Sequence, residues 1–235
     1  MIPLKDDVPS RTVPFVTLTL VGLNVAVFLY QLSLQMNPEP GAQRAAEDFV
    51  REFGLTPCRL TGDCRVPSDA PQPMLTVLTS MFLHGGFLHL GGNMLYLWIF
   101  GDNIEDTLGH ARFLLLYLAS GIGAALAQTV VNPSARVPMV GASGAVSGVL
   151  GAYLLLFPYA TILTLVTFGF FWRFIHLPAL VVLGLWILLQ FLSGYLSLGA
   201  AGDTGGGVAF FAHIGGFFVG MALLFVLRPR AGRRL

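Results

Sequence analysis

The chain has 235 residues, of which 55% are hydrophobic and only 11% charged, and its mean hydropathy is +0.75. Soluble domains carry about a quarter charged residues, so this composition excludes an ordinary soluble globule and predicts one integral membrane domain. A net charge of +1, with no basic run before the closing Arg228, Arg230, Arg233 and Arg234, excludes nucleic acid as a partner.

Taken in order, residues 1–12 are polar and mixed in charge and read as a cytoplasmic tail. The apolar run that follows is too long for the core of a signal peptide. It reads as the first of six membrane spans, each needing about 20 mostly apolar residues. The spans run 13–33, 86–103, 113–131, 142–157, 177–197 and 208–227, so that 13–227 forms an all-α, polytopic bundle and 228–235 a basic cytoplasmic tail. A polar outer loop, 36–73, follows the first span and holds Cys58 and Cys64. A local disulfide and two unpaired thiols are both open there; with no histidine near them, zinc is not expected.

The apolar run from Met74 to Phe100 is too long for one helix, and Gly85-Gly86 suggests a break inside it. Residues 74–84 then dip into the membrane ahead of the second span. The stretch 159–175, bracketed by Pro158 and Pro178 and interrupted by Arg173, reads as an interfacial connector or as extra helix; a seven-span chain is the alternative topology. With the N-terminus inside, the inner segments hold Lys5, Arg11, Arg112, Arg173 and the four tail arginines, against Arg44, Arg51, Arg59, Arg65 and Arg136 outside. Basic residues favour the cytoplasmic side, so both termini are expected in the cytoplasm, across a cell (inner) membrane.

In this topology the second, fourth and sixth spans all begin on the outer side. His89 and Asn93 lie in the first two turns of the second, Ser143 starts the fourth and His213 lies early in the sixth. Four polar groups therefore fall at one shallow depth. Ionisable groups inside membrane spans point to function. Ser143 and His213 suit a nucleophile and its base. His89 and Asn93, four apart on one helix face, suit donors to a developing oxyanion, joined by the Ser143 backbone N–H. No acidic residue lies at that depth, so the pattern supports a dyad and not a triad. Ser143-x3-Ser147-x3-Gly151 and Gly216-x3-Gly220 would let the fourth and sixth helices approach closely.

Gly141-Ala142-Ser143-Gly144, Ala212-His213-x2-Gly216-x3-Gly220, His84-x4-His89-x3-Asn93 and Gly101-x3-Glu105-x3-Gly109 together resemble the rhomboid family of intramembrane serine proteases. The resemblance covers nearly the whole chain. It implies a six-helix bundle with a cavity open to the outer side, cleavage of transmembrane protein substrates within the lipid bilayer near the membrane boundary, and no cofactor or metal. By position it makes Ser143 the nucleophile, His213 the general base, and His89 and Asn93 the oxyanion donors. Two features depart from the pattern. Several relatives carry an aromatic residue one turn after the serine, where this chain has Ser147, and the loop 36–73 contains no tryptophan. A non-proteolytic rhomboid-like binder of membrane helices is the alternative; a small transporter is disfavoured by the absence of an inverted repeat.

The remaining polar residues read more plainly. Asn24, Gln31, Gln128 and Gln190 read as bundle hydrogen bonds, His84 as an interfacial group, and Glu105 as a cap or an ion pair, with Arg112 in reach. Trp98 fits an aromatic belt, while Trp172 and Trp186 are expected to face lipid or other helices. Gly205-Gly206-Gly207 suggests a mobile outer loop near substrate entry.

Overall fold

A computed structural model describes residues 1–37, 41–66, 70–169, 171–199 and 208–228. After strand β1 (Ile2–Asp6), helix α1 (Phe15–Met36) forms the first long apolar segment. The outer loop folds into α2 (Ala42–Phe53) and α3 (Pro57–Thr61), and α4 (Pro73–Thr79) runs into a 3₁₀ turn at Ser80–Phe82. Helices α5 (Phe87–Leu108), α6 (His110–Val131) and α7 (Ser143–Leu156) follow, then strands β2 (Thr161–Phe168) and β3 (Phe171–Pro178), and helices α8 (Ala179–Gly199) and α9 (Phe210–Leu227). The Gly205–Gly207 run and the last arginines lie outside the described residues.

The protein is a mostly helical, polytopic membrane bundle. Among the described residues α1, α6, α8 and α9 are each long and apolar enough to cross a bilayer. The segment Pro73–Phe82 and α5 make a fifth span if counted together, although they meet at 82°. That bend falls at Gly85-Gly86, and Gly86 adopts φ +154° at the start of α5, a conformation side chains rarely permit. Helix α7 has only 14 residues, too few to pass the same test, so length and composition support four spans, or five with the bent pair, and do not establish the expected sixth.

The all-α expectation needs a correction. Strands β1, β2 and β3 form one antiparallel sheet in that order, with Ile2 opposite Leu165 and Thr161 opposite Pro178. The region 159–175 is thus a hairpin and neither helix nor a seventh span. Its residues are mainly β-branched and aromatic, which suit a pleated ribbon, and Gly169 turns it at φ +56°. Ile162 and Thr164, two apart, are fully buried on one face. The polar N-terminal segment is no loose tail, because β1 is the third strand of this sheet.

Small residues set the core. Every residue of α7 from Gly144 to Tyr153 is buried, with α6 and α9 against it. A Cβ on Gly216 would strike the Gly144 carbonyl oxygen, one on Gly220 the Gly148 carbonyl, and one on Gly151 the Phe217 carbonyl. Backbone contact of this kind drives helix association where water supplies no hydrophobic force.

Candidate active site

The close α7–α9 approach brings the two distant motifs together: Ser143 Oγ lies 2.8 Å from His213 Nε2. The segment leading into α7 is held from two sides. Gly141 N–H donates to the Ser80 carbonyl (2.9 Å), and Leu55 and Met139 exchange both backbone hydrogen bonds (3.0 and 2.7 Å). The outer loop is therefore docked by main-chain pairing, without the tryptophan it lacks. Cys58 N–H adds a bond to the Ala135 carbonyl, and Cys58 and Cys64 are joined as a disulfide.

His89 and Asn93 reach the same place from α5. Gly141 has φ +124°, and a Cβ there would sit 2.6 Å from His89 Nε2 and 3.7 Å from Asn93 Nδ2. The missing side chain leaves a small space next to Ser143 with two nitrogens on its wall. The Gly85 N–H donates to His89 Nδ1 (3.2 Å), so Nδ1 accepts and Nε2 carries the proton facing that space. Asn93 Nδ2 is buried with no hydrogen-bond partner. All four residues line a cavity of about 710 Å³, together with Met139 and Trp186. Among the described residues no group of three or more His, Cys, Asp or Glu could hold a metal ion.

Two residues that read as unremarkable in sequence belong to this site. Gln190, expected to brace the bundle, has Oε1 2.8 Å from His213 Nδ1. Trp186, one turn earlier on α8, lies against the His213 ring at 5.8 Å between centroids, and against Phe217. Ser147 presents no ring to His213; its hydroxyl donates to the Ser143 carbonyl (2.6 Å). The available signal was the i, i+4 pairing of an amide and an indole on one face of an otherwise apolar helix.

The other polar residues are structural. Gln31 pins the chain ahead of α5 with two bonds to the His84 backbone, and the His84 ring meets that of His89 edge-on. Gln128 Oε1 accepts from the Ala212 N–H, and Asn24 donates to the Leu20 carbonyl. Glu105 caps α1: its oxygens accept from the Val16 and Thr17 N–H groups (2.8 Å each) and the Thr17 hydroxyl (2.7 Å). The side chain that meets it from α6 is His110 (Nδ1 to Oε1 2.5 Å) and not Arg112, because the turn at Gly109 swings His110 back over it.

Residues 71–230 match the family model described as the Rhomboid domain. The chain is similar to RHOMBOID-like protein 4 of Arabidopsis thaliana, 33% identical over 241 residues that cover 93% of this chain and 54% of that protein. Rhomboid protein 1, mitochondrial, of Saccharomyces cerevisiae is 37% identical over 152 residues, 63% of this chain and 38% of that one. Rhomboid protease GluP of Bacillus subtilis is 47% identical over 78 residues, 33% of this chain and 15% of that one. This chain therefore spans only 15–54% of the length of these relatives.

Proposed function

The chain belongs to the rhomboid family, and from that premise we propose that it is an intramembrane serine protease acting on transmembrane protein substrates. The observation that carries this reading is the 2.8 Å Ser143–His213 bond facing a cavity beside an unpartnered Asn93 amide.

In the reaction His213 Nε2 takes the Ser143 proton as Oγ attacks the scissile carbonyl carbon. Negative charge then develops on the carbonyl oxygen. The space at Gly141 receives it, with His89 Nε2–H, Asn93 Nδ2–H and the Ser143 N–H as donors fixed before the reaction starts; each such donor contributes roughly 10²- to 10³-fold to the rate. The Ser143 N–H also lies at the N-terminus of α7, where the helix dipole favours negative charge. His213 returns the proton to the leaving amine. A water, deprotonated by the same imidazole, then releases the acyl group from Ser143.

The short α7 suits this chemistry. At about 1.5 Å per residue its 14 residues extend about 21 Å, against a hydrocarbon core of about 30 Å. In a six-span arrangement, with α7 as the central span and both termini cytoplasmic in a cell (inner) membrane, its first residue sits below the outer surface and the cavity above it admits water. Residues 13–227 form the catalytic domain in this reading. A substrate helix must unwind to present its carbonyl, so helix-weakening residues near the cut favour cleavage.

The test is purification in detergent or liposomes, incubation with several transmembrane substrates, and comparison with Ser143→Ala. Cleavage by the parent protein and none by the variant is expected. No cleavage by the parent protein would instead favour a rhomboid-like protein that binds membrane helices without cutting them.

A further inference from the structure

The hydrogen bonds around Gln190 determine where the proton on His213 must be. Gln190 Nε2 lies 3.4 Å from the Trp186 carbonyl one turn back on α8, and an amide nitrogen can only donate. That bond turns Oε1 toward His213 Nδ1, 2.8 Å away. An amide oxygen can only accept, so Nδ1 must carry the proton. The other ring nitrogen, Nε2, is then left with a lone pair facing the Ser143 hydroxyl. The opposite tautomer would place a proton on Nε2, where it would donate to Ser143 and could not take the serine proton.

We propose that Gln190 is a positioning residue that locks His213 in the Nδ1–H tautomer, with Trp186 holding the plane of the ring. The inference rests on the protease reading above for its kinetic consequence. Gln190 stands where an acid would complete a triad, and differs from one in a predictable way. It sets the tautomer and keeps its bond when the ring becomes imidazolium, but it supplies no countercharge. The seating of α8 thereby governs the base, while α7 carries the nucleophile.

Two variants and two readouts test this. Gln190→Leu keeps the side chain's bulk and removes the acceptor; Gln190→Glu keeps the acceptor and adds a charge. The first readout is the ¹⁵N spectrum of the His213 ring in histidine-labelled protein, identified by its loss in His213→Ala. The parent protein is expected to show a protonated Nδ1 and an unprotonated Nε2, and Gln190→Leu a mixture of tautomers. The second readout is cleavage kinetics. Gln190→Leu should lower kcat tenfold or more with KM within about twofold. Gln190→Glu should keep kcat within about threefold and move the acidic limb of the pH–rate profile up by roughly one unit, because a carboxylate favours the imidazolium. A protonated Nε2 in the parent, or parental kcat in a folded Gln190→Leu, overturns the proposal. If Gln190→Leu does not fold, Gln190→Glu decides, and an unmoved acidic limb overturns it. Absence of cleavage by the parent overturns the protease reading alone, since the tautomer is read without substrate.

Discussion

Helix α5 carries a polar cluster at each end, and the two are finished differently. At one end Glu105 is fully buried, yet both its oxygens are taken by Val16, Thr17 and His110, while Asp106 accepts from Thr12 and Asp102 from Ser10. At the other, Asn93 is equally withdrawn from solvent but its amide nitrogen has no partner, and His89 aims a donor at the space above Gly141. A buried donor left unmatched costs a few kcal/mol. Burial of polar groups alone thus does not separate structure from function in this molecule. Nor does an unmatched atom by itself, since Asn103 Oδ1 at the Glu105 end, like Asn24 Oδ1, the Tyr117 hydroxyl and Ser120 Oγ elsewhere, is also buried without a partner. The two ends differ in place, for Glu105 ties α1 to α5 whereas the Asn93 amide lines the cavity beside Ser143.

The strongest test of this contrast is Asn93→Ala. Cleavage, measured as kcat/KM, should fall roughly a hundredfold while the midpoint of thermal unfolding stays within about 2 °C. A large loss of stability with normal cleavage would place Asn93 with the structural cluster. Glu105→Ala should do the reverse. It strands two buried amides at the start of α1 at a cost of roughly 2–3 kcal/mol, which lowers the unfolding midpoint by about 5–10 °C. The folded fraction, counted by labelling Ser143 with an active-site reagent, should still cut at close to the parental rate per molecule.

Gly220→Ala probes the seam between the two. Its Cβ would meet the Gly148 backbone, and overpacking there should cost about 1–3 kcal/mol. Because α9 also carries His213, both stability and cleavage should fall together; a drop in stability alone would show that the Ser143–His213 distance tolerates a wider α7–α9 spacing.

The smallest effect is expected at Asp6, where the sheet meets the bundle. Its carboxylate accepts from the Tyr153 hydroxyl (2.5 Å) and the Asn103 amide (2.8 Å). Burial, with Asp102 and Asp7 adding repulsion and the Tyr153 bond opposing, pushes its pKa up to about 6 from the usual 3.8. Between those values the folded chain holds a proton that the unfolded chain has lost. That contribution to stability is complete below the lower value and disappears as pH rises through the upper one. Asp6→Asn should remove this slope, gaining a degree or two on the parent protein between pH 4.5 and 7.5, an effect kept small because the group is partly solvated. Cleavage should not change.

Much of the site was legible because each residue type stood out against an apolar background. Ser143, His213, His89 and Asn93 are rare groups in greasy helices, and the glycines at Gly144, Gly148, Gly216 and Gly220 announced a close pair. Gln190 was not legible in the same way. A neutral amide in a span is common, and nothing along the chain says whether it faces a backbone carbonyl or an imidazole. Trp186 does face another helix, one of the two surroundings expected of it, but nothing in the sequence says that its neighbour there is His213. The hairpin escaped because an apolar run between prolines fits a helix or a connector until a partner strand appears, and that partner, Ile2–Asp6, lies in a segment whose composition reads as a tail.

Composition and periodicity alone determined that this is a helical membrane protein with polar side chains at the start of three apolar helices, because those properties are written in each segment separately. Family membership followed from the order and spacing of four short motifs. Only the tertiary structure decided that residues 161–178 pair as strands, that the fourth apolar segment is too short to cross by the usual measure, and that His213 is flanked by Gln190 and Trp186. These depend on which segment meets which across long sequence distances, and on hydrogen bonds whose direction exists only once both partners are in place.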